Sequence, residues 1–176
     1  DVYKRQACAQ DKPVLEAVKA AKEKGIADAI LVGDEAEIRK IAAELDMNLD
    51  EYEIINEPDS IQAAHKAVEL VHNNKADMYM KGIIDTKNFL KSVLDKEVGL
   101  RTGKPLSHVA VFEVPGVDRL LYLSDVAFMT YPSLEDKKAI IENTVKVVHA
   151  CGIPCPKVAP LAAVEVCLLY TSDAAD

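Results

Sequence analysis

Ala29-Ile30-Leu31-Val32-Gly33-Asp34-Glu35-Ala36-Glu37-Ile38 is the stretch on which the fold turns. Its first four residues are apolar without alternation, which suits a strand buried on both faces rather than one with a wet side. Gly33 ends the run, and Asp34 followed by Glu37 has the spacing of a capping box at a helix start. Beyond it, Ile38, Ile41 and Leu45 recur at the interval that puts apolar side chains on one helical face. A buried strand feeding an amphipathic helix is one βα unit, and repeated units build a parallel sheet covered by helices.

The neighbouring segments repeat the unit. Upstream, Asp11 stands at a cap position with Pro13 in the first helical turn, Val14, Val18 and Ala21 share a face, and Gly25 stops the helix. Downstream, Tyr52 to Ile55 reads as a strand, Pro58 as a turn, and Ile61, Ala64, Val68 and Val71 as the inner face of a helix. Met78-Tyr79-Met80 is a further strand broken by Gly82. Asp85 or Thr86 then caps a helix that buries Phe89, Leu90, Val93 and Leu94 and stops near Gly99. The expectation is an α/β protein with a mostly parallel sheet, flanking helices and right-handed crossovers.

After Gly99 the pattern changes. Leu106 to Val114 and Arg119 to Leu123 are strand-like and joined by Pro115-Gly116-Val117-Asp118, with proline and glycine in type II turn positions, so an antiparallel hairpin is expected. Ser133 and Asp136 have capping-box spacing for a helix with Ile140, Ile141, Val145 and Val148 inside, ended by Gly152, and Lys157 to Val166 begins another strand. A soft boundary falls near 125–132, giving an N-terminal α/β domain over 7–126 and the beginning of a truncated second domain over 127–166. The flanks DVYKRQ (1–6) and CLLYTSDAAD (167–176) share no periodicity with their neighbours and resemble translated adapter sequence. They are set aside as non-native, leaving Ala7-Cys8-Ala9 as the remnant of a first strand.

The chain has 176 residues, enough for one well-packed domain and part of a second. Though 49% of it is apolar, no apolar run approaches the roughly 20 residues that cross a bilayer. The opening residues lack the basic start and apolar stretch of a secretory signal, so a cytoplasmic location is expected. The only close cysteine pair, Cys151 and Cys155, has neither a second ligand pair nor redox spacing, so no metal site is expected. A net charge of −8 opposes nucleic acid and anionic membranes. Locally, Lys81, Lys87, Lys91, Lys96, Arg101 and Lys104 outnumber Asp85, Asp95 and Glu97, which fits a small anionic ligand as well as a solvated basic helix.

The turn Met80-Lys81-Gly82-Ile83-Ile84-Asp85-Thr86 is the best candidate site. Lys81 puts a cation at a strand end, Gly82 allows close backbone approach, and Thr86 offers a hydroxyl beside a helix N-terminus. Phosphate suits that set, although a strand-glycine-helix junction with a solvated lysine is equally common. Neither glycine-rich nucleotide loop is present. His65 and His149 sit in helical patterns as structural or solvent-facing residues. Ser107 and His108 are adjacent on a strand-like segment and point to opposite faces, so they make no Ser-His pair.

Read together, Met80-Lys81-Gly82 to Leu100-Arg101-Thr102-Gly103 and Leu106-Ser107-His108-Val109-Ala110-Val111-Phe112 resemble the KG-x-x-x-T and L-S-H-V-A-V-F pattern of the phosphate butyryltransferases, within the phosphate acetyl/butyryltransferase family. Leu123-Ser124-Asp125, Leu134-Glu135-Asp136-Lys137-Lys138, Pro156-Lys157-Val158-Ala159 and Glu165-Val166 continue it in order. The resemblance implies an isocitrate-dehydrogenase-like, two-domain enzyme that moves a short acyl group, butyryl, between coenzyme A and inorganic phosphate. It implies substrate binding by Lys81, Gly82, Thr86, Arg101, Ser107 and Asp125, with coenzyme A as a substrate and no cofactor, and a homo-oligomeric parent. The family's catalytic serine, arginine and aspartate cluster is expected beyond Val166, which would leave this fragment inactive. Relatives often carry an asparagine after the aspartate, where this chain reads Asp125-Val126-Ala127-Phe128-Met129-Thr130-Tyr131-Pro132. Phosphate acetyltransferase and a non-catalytic small-anion or nucleotide-binding module are the competing readings.

Overall fold

The computed structural model describes residues 3–7, of these the backbone only, together with 9–126 and 128–161. It forms two compact units, Asp1–Thr102 and Gly103–Asp176. The first runs β1 (Tyr3–Ala7), α1 (Lys12–Glu23), β2 (Asp28–Gly33), α2 (Glu35–Glu44), β3 (Glu53–Asn56), α3 (Ser60–His72), β4 (Met78–Lys81) and α4 (Thr86–Val93). Its four strands lie in the order β3-β2-β1-β4, and every pairing is parallel. The mixed α/β class with a parallel sheet and flanking helices is therefore the one the chain adopts.

β2 shows why its apolar run has no alternation. Ala29 and Leu31 join a core with Leu15, Val18, Ile38 and Ala42 from α1 and α2. Val32 joins a second core with Ala63, Ala64 and Ala67 from α3 and Ile84 after β4. With Leu31 and Val32 both fully buried, helices cover the strand on each face, and water is left with neither. α3 approaches the sheet through Ala63, Ala64, Ala67 and Val68, while Ile61, expected inside, is half exposed. Small alanines allow that closeness; Ile61 is displaced around the helix from the alanine stripe. In α4 likewise, Leu94 is a cap residue lying outside, and Ser92 is buried instead.

The first strand differs from expectation. Residues 1–6 were set aside and Ala7 to Ala9 read as a remnant, yet Tyr3–Ala7 pairs with β2 on one side and β4 on the other. Parallel pairing is made by main-chain N–H and C=O groups, so an extended segment in register can join the ladder without the apolar run that marks β2.

Helix ends obey local chemistry. Asp34, Asp59 and Asp85 cap α2, α3 and α4 by accepting main-chain N–H bonds, whereas Asp11 holds the cap position of α1 without a side-chain bond. At the other ends, Ile26 N donates to Ala21 O and Lys75 N to Leu70 O, the 6→1 bond of a Schellman motif. The left-handed residue is Gly25 at α1 but Asn74 at α3, with φ of 63° and 55°. Replacing Asn74 by glycine is therefore expected to stabilise the chain by about 0.5 kcal/mol, because glycine meets no steric cost there. A urea midpoint for Asn74→Gly below that of the native chain would contradict it.

The second unit contains β5 (Ala110–Phe112) and β6 (Leu121–Leu123), an antiparallel pair, and α5 (Leu134–Ala150). Val117 N donates to Val114 O at 3.0 Å, and Gly116 has φ of 85°, as a type II turn with Pro115 in front requires. Ser133 and Asp136 form the full capping box. Ile140 and Val148 are buried on α5, but Ile141 lies on the exposed side. The hairpin strands are shorter than expected, and 106–109 is not strand, since the His108 N–H bonds a carboxylate rather than a neighbouring strand. Compactness divides the chain at Thr102 and Gly103, ahead of the soft boundary near 125–132, because the segment before the hairpin bonds to α5 and to the turn after β6. Of the expected strand from Lys157 to Val166, residues 157–161 carry no strand, and the remainder, like 167–176, lies outside the described residues.

Candidate functional site

The order of the strands gives the candidate site its place in the fold. The chain builds outward from β1 to β2 to β3, then crosses back to place β4 on the opposite side of β1. At such a reversal the connections leave the carboxyl ends of two neighbouring strands in opposite directions, opening a crevice for a ligand. Here the two strands are β1 and β4, and their register sets Ala7 beside Lys81. The last residue of β4 is thus the lysine that the sequence singled out.

From Lys81 the chain turns within four residues into α4. Ile84 N donates to Gly82 O at 2.9 Å, and Ile84 itself is buried in the second core, which pins the turn from below. Asp85 caps the helix, accepting from Asn88 N at 2.9 Å and from Asn88 Nδ2 at 2.6 Å. Thr86, the first helical residue, then brings its Oγ1 to 3.4 Å from Lys81 Nζ. That is long for a strong hydrogen bond. It is a cation and a hydroxyl set side by side on an exposed surface, beside main-chain N–H groups at a helix start. α4 is held in place by Tyr79, whose ring stacks on Phe89 at 4.8 Å and whose hydroxyl meets Ser92 Oγ at 3.1 Å.

Hydrogen bonds from the Asn88 main chain and side chain hold the Asp85 carboxyl below its ordinary value of 3.8. A depressed carboxyl contributes stability above its ordinary value and loses it as the pH falls through the lower folded value. The α4 N-terminus is therefore expected to fray only below about pH 4, and Asp85→Asn should flatten that part of the transition. Hydrogen-exchange rates of the Asn88 amide, measured from pH 6 to pH 3, check this.

Arg101 follows on an exposed loop after α4. Asp95 shapes that loop by accepting from Glu97 N and Val98 N, bonds that depress its carboxyl in the same way. A side chain at Gly99 would run into the main chain of Asp95 and Val93. Lys81, Gly82, Thr86 and Arg101 all belong to the first unit, and the other two expected residues to the second.

There, Ser107 and Asp125 are parts of one hydrogen-bonded arrangement. Asp125 accepts from His108 N at 2.7 Å, Phe128 N at 3.0 Å and Met129 N at 2.6 Å. Its carboxylate therefore joins the segment before β5 to the turn after β6. Ser107 Oγ accepts from Asn143 Nδ2 at 3.0 Å, and the same nitrogen donates to Pro105 O at 3.2 Å. Asn143 went unnoticed in the sequence. Its signal was there: a poor helix former in mid-helix, on the face of Ile140, must find a polar partner. His65 and His149 are exposed, as their helical patterns suggested. Among the described residues no helix is long and apolar enough to cross a membrane.

Comparison with known proteins converges on one family. The family profile described as Phosphate acetyl/butaryl transferase matches residues 7–63 and 53–169. A phosphate butyryltransferase from Clostridium acetobutylicum is 63% identical over 91% of this chain and 53% of its own length. One from Clostridium beijerinckii is 58% identical over the same shares, and a phosphate acetyltransferase from Thermotoga maritima is 39% identical over 91% of this chain and 54% of its own length. The chain thus spans about half the length of the curated relatives it matches. Among solved structures, a branched-chain phosphotransacylase from Enterococcus faecalis superposes with a TM-score of 0.77 at 28% identity, over 94% of this chain and 58% of that one. A phosphotransacetylase from Streptococcus pyogenes shares the fold, with a TM-score of 0.74 at 18% identity over 87% of this chain and 55% of its own.

Proposed function

We propose, because this chain belongs to the phosphate acetyl/butaryl transferase family, that its full-length parent transfers a butyryl group between coenzyme A and inorganic phosphate. A phosphate oxygen attacks the thioester carbonyl, the carbon–sulfur bond breaks, and the coenzyme A thiolate leaves and takes up a proton. Both reactants are anions, so the first requirement is positive charge and hydrogen-bond donors that do not have to reorganise. The observation that carries this reading is the placement of Lys81, with Thr86 at its side, at the strand reversal between β1 and β4. Gly82 lets the main chain come close, and Arg101 adds a second cation.

Ser107 and Asp125 complete the proposed substrate-binding set, and the serine, arginine and aspartate that carry the chemistry belong to sequence beyond Val166. Coenzyme A acts as a substrate, with no further cofactor, in a cytoplasmic homo-oligomer. Butyryl is chosen over acetyl because the two Clostridium butyryltransferases are more similar to this chain than the acetyltransferase described above. Acyl-phosphate formation from butyryl-CoA and from acetyl-CoA by the full-length parent tests this, with this chain alone assayed beside it. The expected result is a higher kcat/KM for butyryl-CoA and no turnover by the chain alone. Preference for acetyl-CoA would move the parent to the acetyltransferase side of the family.

A further inference from the structure

Ser107 sits in a segment that has no strand partner. Two side chains from elsewhere in its unit hold it instead: Asp125 takes the N–H of His108 on one side, and Asn143 of α5 bonds Pro105 and Ser107 on the other. The bond to Pro105 fixes which way the asparagine amide faces. A carbonyl oxygen can only accept, so the atom 3.2 Å from Pro105 O has to be the amide nitrogen. The second hydrogen of that nitrogen is then directed at Ser107 Oγ, 3.0 Å away.

A serine hydroxyl has one proton and two lone pairs. Here one lone pair is engaged by an N–H group, and the hydroxyl proton cannot point at another donor, so it turns away from α5. We propose that Asn143 is a positioning residue: it orients Ser107 so that the hydroxyl donates outward to an oxygen of the phosphate substrate. This rests on the reading of Ser107 as a substrate contact and adds what prepares it. A hydroxyl with a preset proton loses less rotational freedom on binding than one that must choose between donor and acceptor roles.

The test uses the full-length parent carrying Ser107→Ala, Asn143→Ala, Asn143→Asp, and each Asn143 change combined with Ser107→Ala, with KM for phosphate and for butyryl-CoA measured separately. Ser107→Ala and Asn143→Ala are each expected to raise the phosphate KM about 10-fold, leave the butyryl-CoA KM in place, and combine to no more than the larger single effect. Asn143→Asp keeps the shape of the side chain but draws the serine proton inward. It should raise the phosphate KM when Ser107 is present and add nothing in the Ser107→Ala background, whereas simple charge repulsion would act in both. If Asn143→Ala does not fold, the Asp pair decides alone. Additive effects, or a native phosphate KM in the Asn143 variants beside a raised one in Ser107→Ala, overturn the positioning role. A native phosphate KM in Ser107→Ala overturns the substrate contact itself and this inference with it.

Discussion

Lys81→Ala in the full-length parent is expected to raise the KM for phosphate roughly 10- to 100-fold while leaving the melting temperature within a degree or so of the parent's. The reason for the split lies in where the lysine stands. It is the last residue of β4, its side chain is exposed, and its ammonium lies beside Thr86 Oγ1 rather than in either core. It lies in neither apolar core, so removing it opens no cavity there and folding loses little. Phosphate bound as proposed above, by contrast, loses a charge-assisted bond. Lys81→Arg should recover part of the effect, since the charge remains but a planar fork replaces a compact ammonium. Steady-state kinetics over a phosphate series, with thermal melts of the same preparations, measure both quantities. Equal loss of melting temperature and of phosphate affinity would make Lys81 a structural residue.

Asp125→Ala is expected to behave in the opposite way, lowering the stability of this chain by about 2–4 kcal/mol in urea denaturation. Its carboxylate takes three main-chain N–H groups, those of His108, Phe128 and Met129, and alanine would leave them to water or to nothing. Asp125→Asn should fall between the two. One oxygen still accepts from His108, but the amide nitrogen that replaces the other oxygen meets the N–H groups of Phe128 and Met129. Far-UV circular dichroism across a urea series reads the outcome. A native midpoint for Asp125→Ala would mean that the carboxylate is not what holds this loop. Asp125 and Lys81 both belong to the proposed substrate-binding set, and these two variants show which of them also holds the backbone in place.

Local signals in the sequence were reliable where a residue acts on its own neighbours. The caps at Asp34 and Ser133, the type II turn at Pro115 and Gly116, and the two-faced burial of β2 all follow from interactions spanning a few residues. Errors came where packing against distant elements chooses among apolar residues. Ile61 and Ile141 fit the helical period yet lie outside, because the sheet accepts the alanine stripe of α3 and α5 buries Ile140 and Val148. Tyr3 to Gln6 carries no apolar pattern and was set aside with the opening residues, but the segment joins the ladder through main-chain groups that leave no signal in a side-chain pattern.

By itself, then, the sequence determined the α/β class, the succession of βα units, and the identity of Lys81, Gly82 and Thr86 as a strand-to-helix turn able to meet an anion. Each of these depends on periodicity and on chemistry within a single turn of chain. Only the tertiary structure decided that β4 lies against β1 rather than beyond β3, which puts that turn at the reversal of strand order instead of at the end of a simple progression. It also decided that Ser107 is bonded from Asn143, 36 residues away. Strand order and such long-range bonds depend on which surfaces bury each other across the fold, a choice that no local pattern encodes.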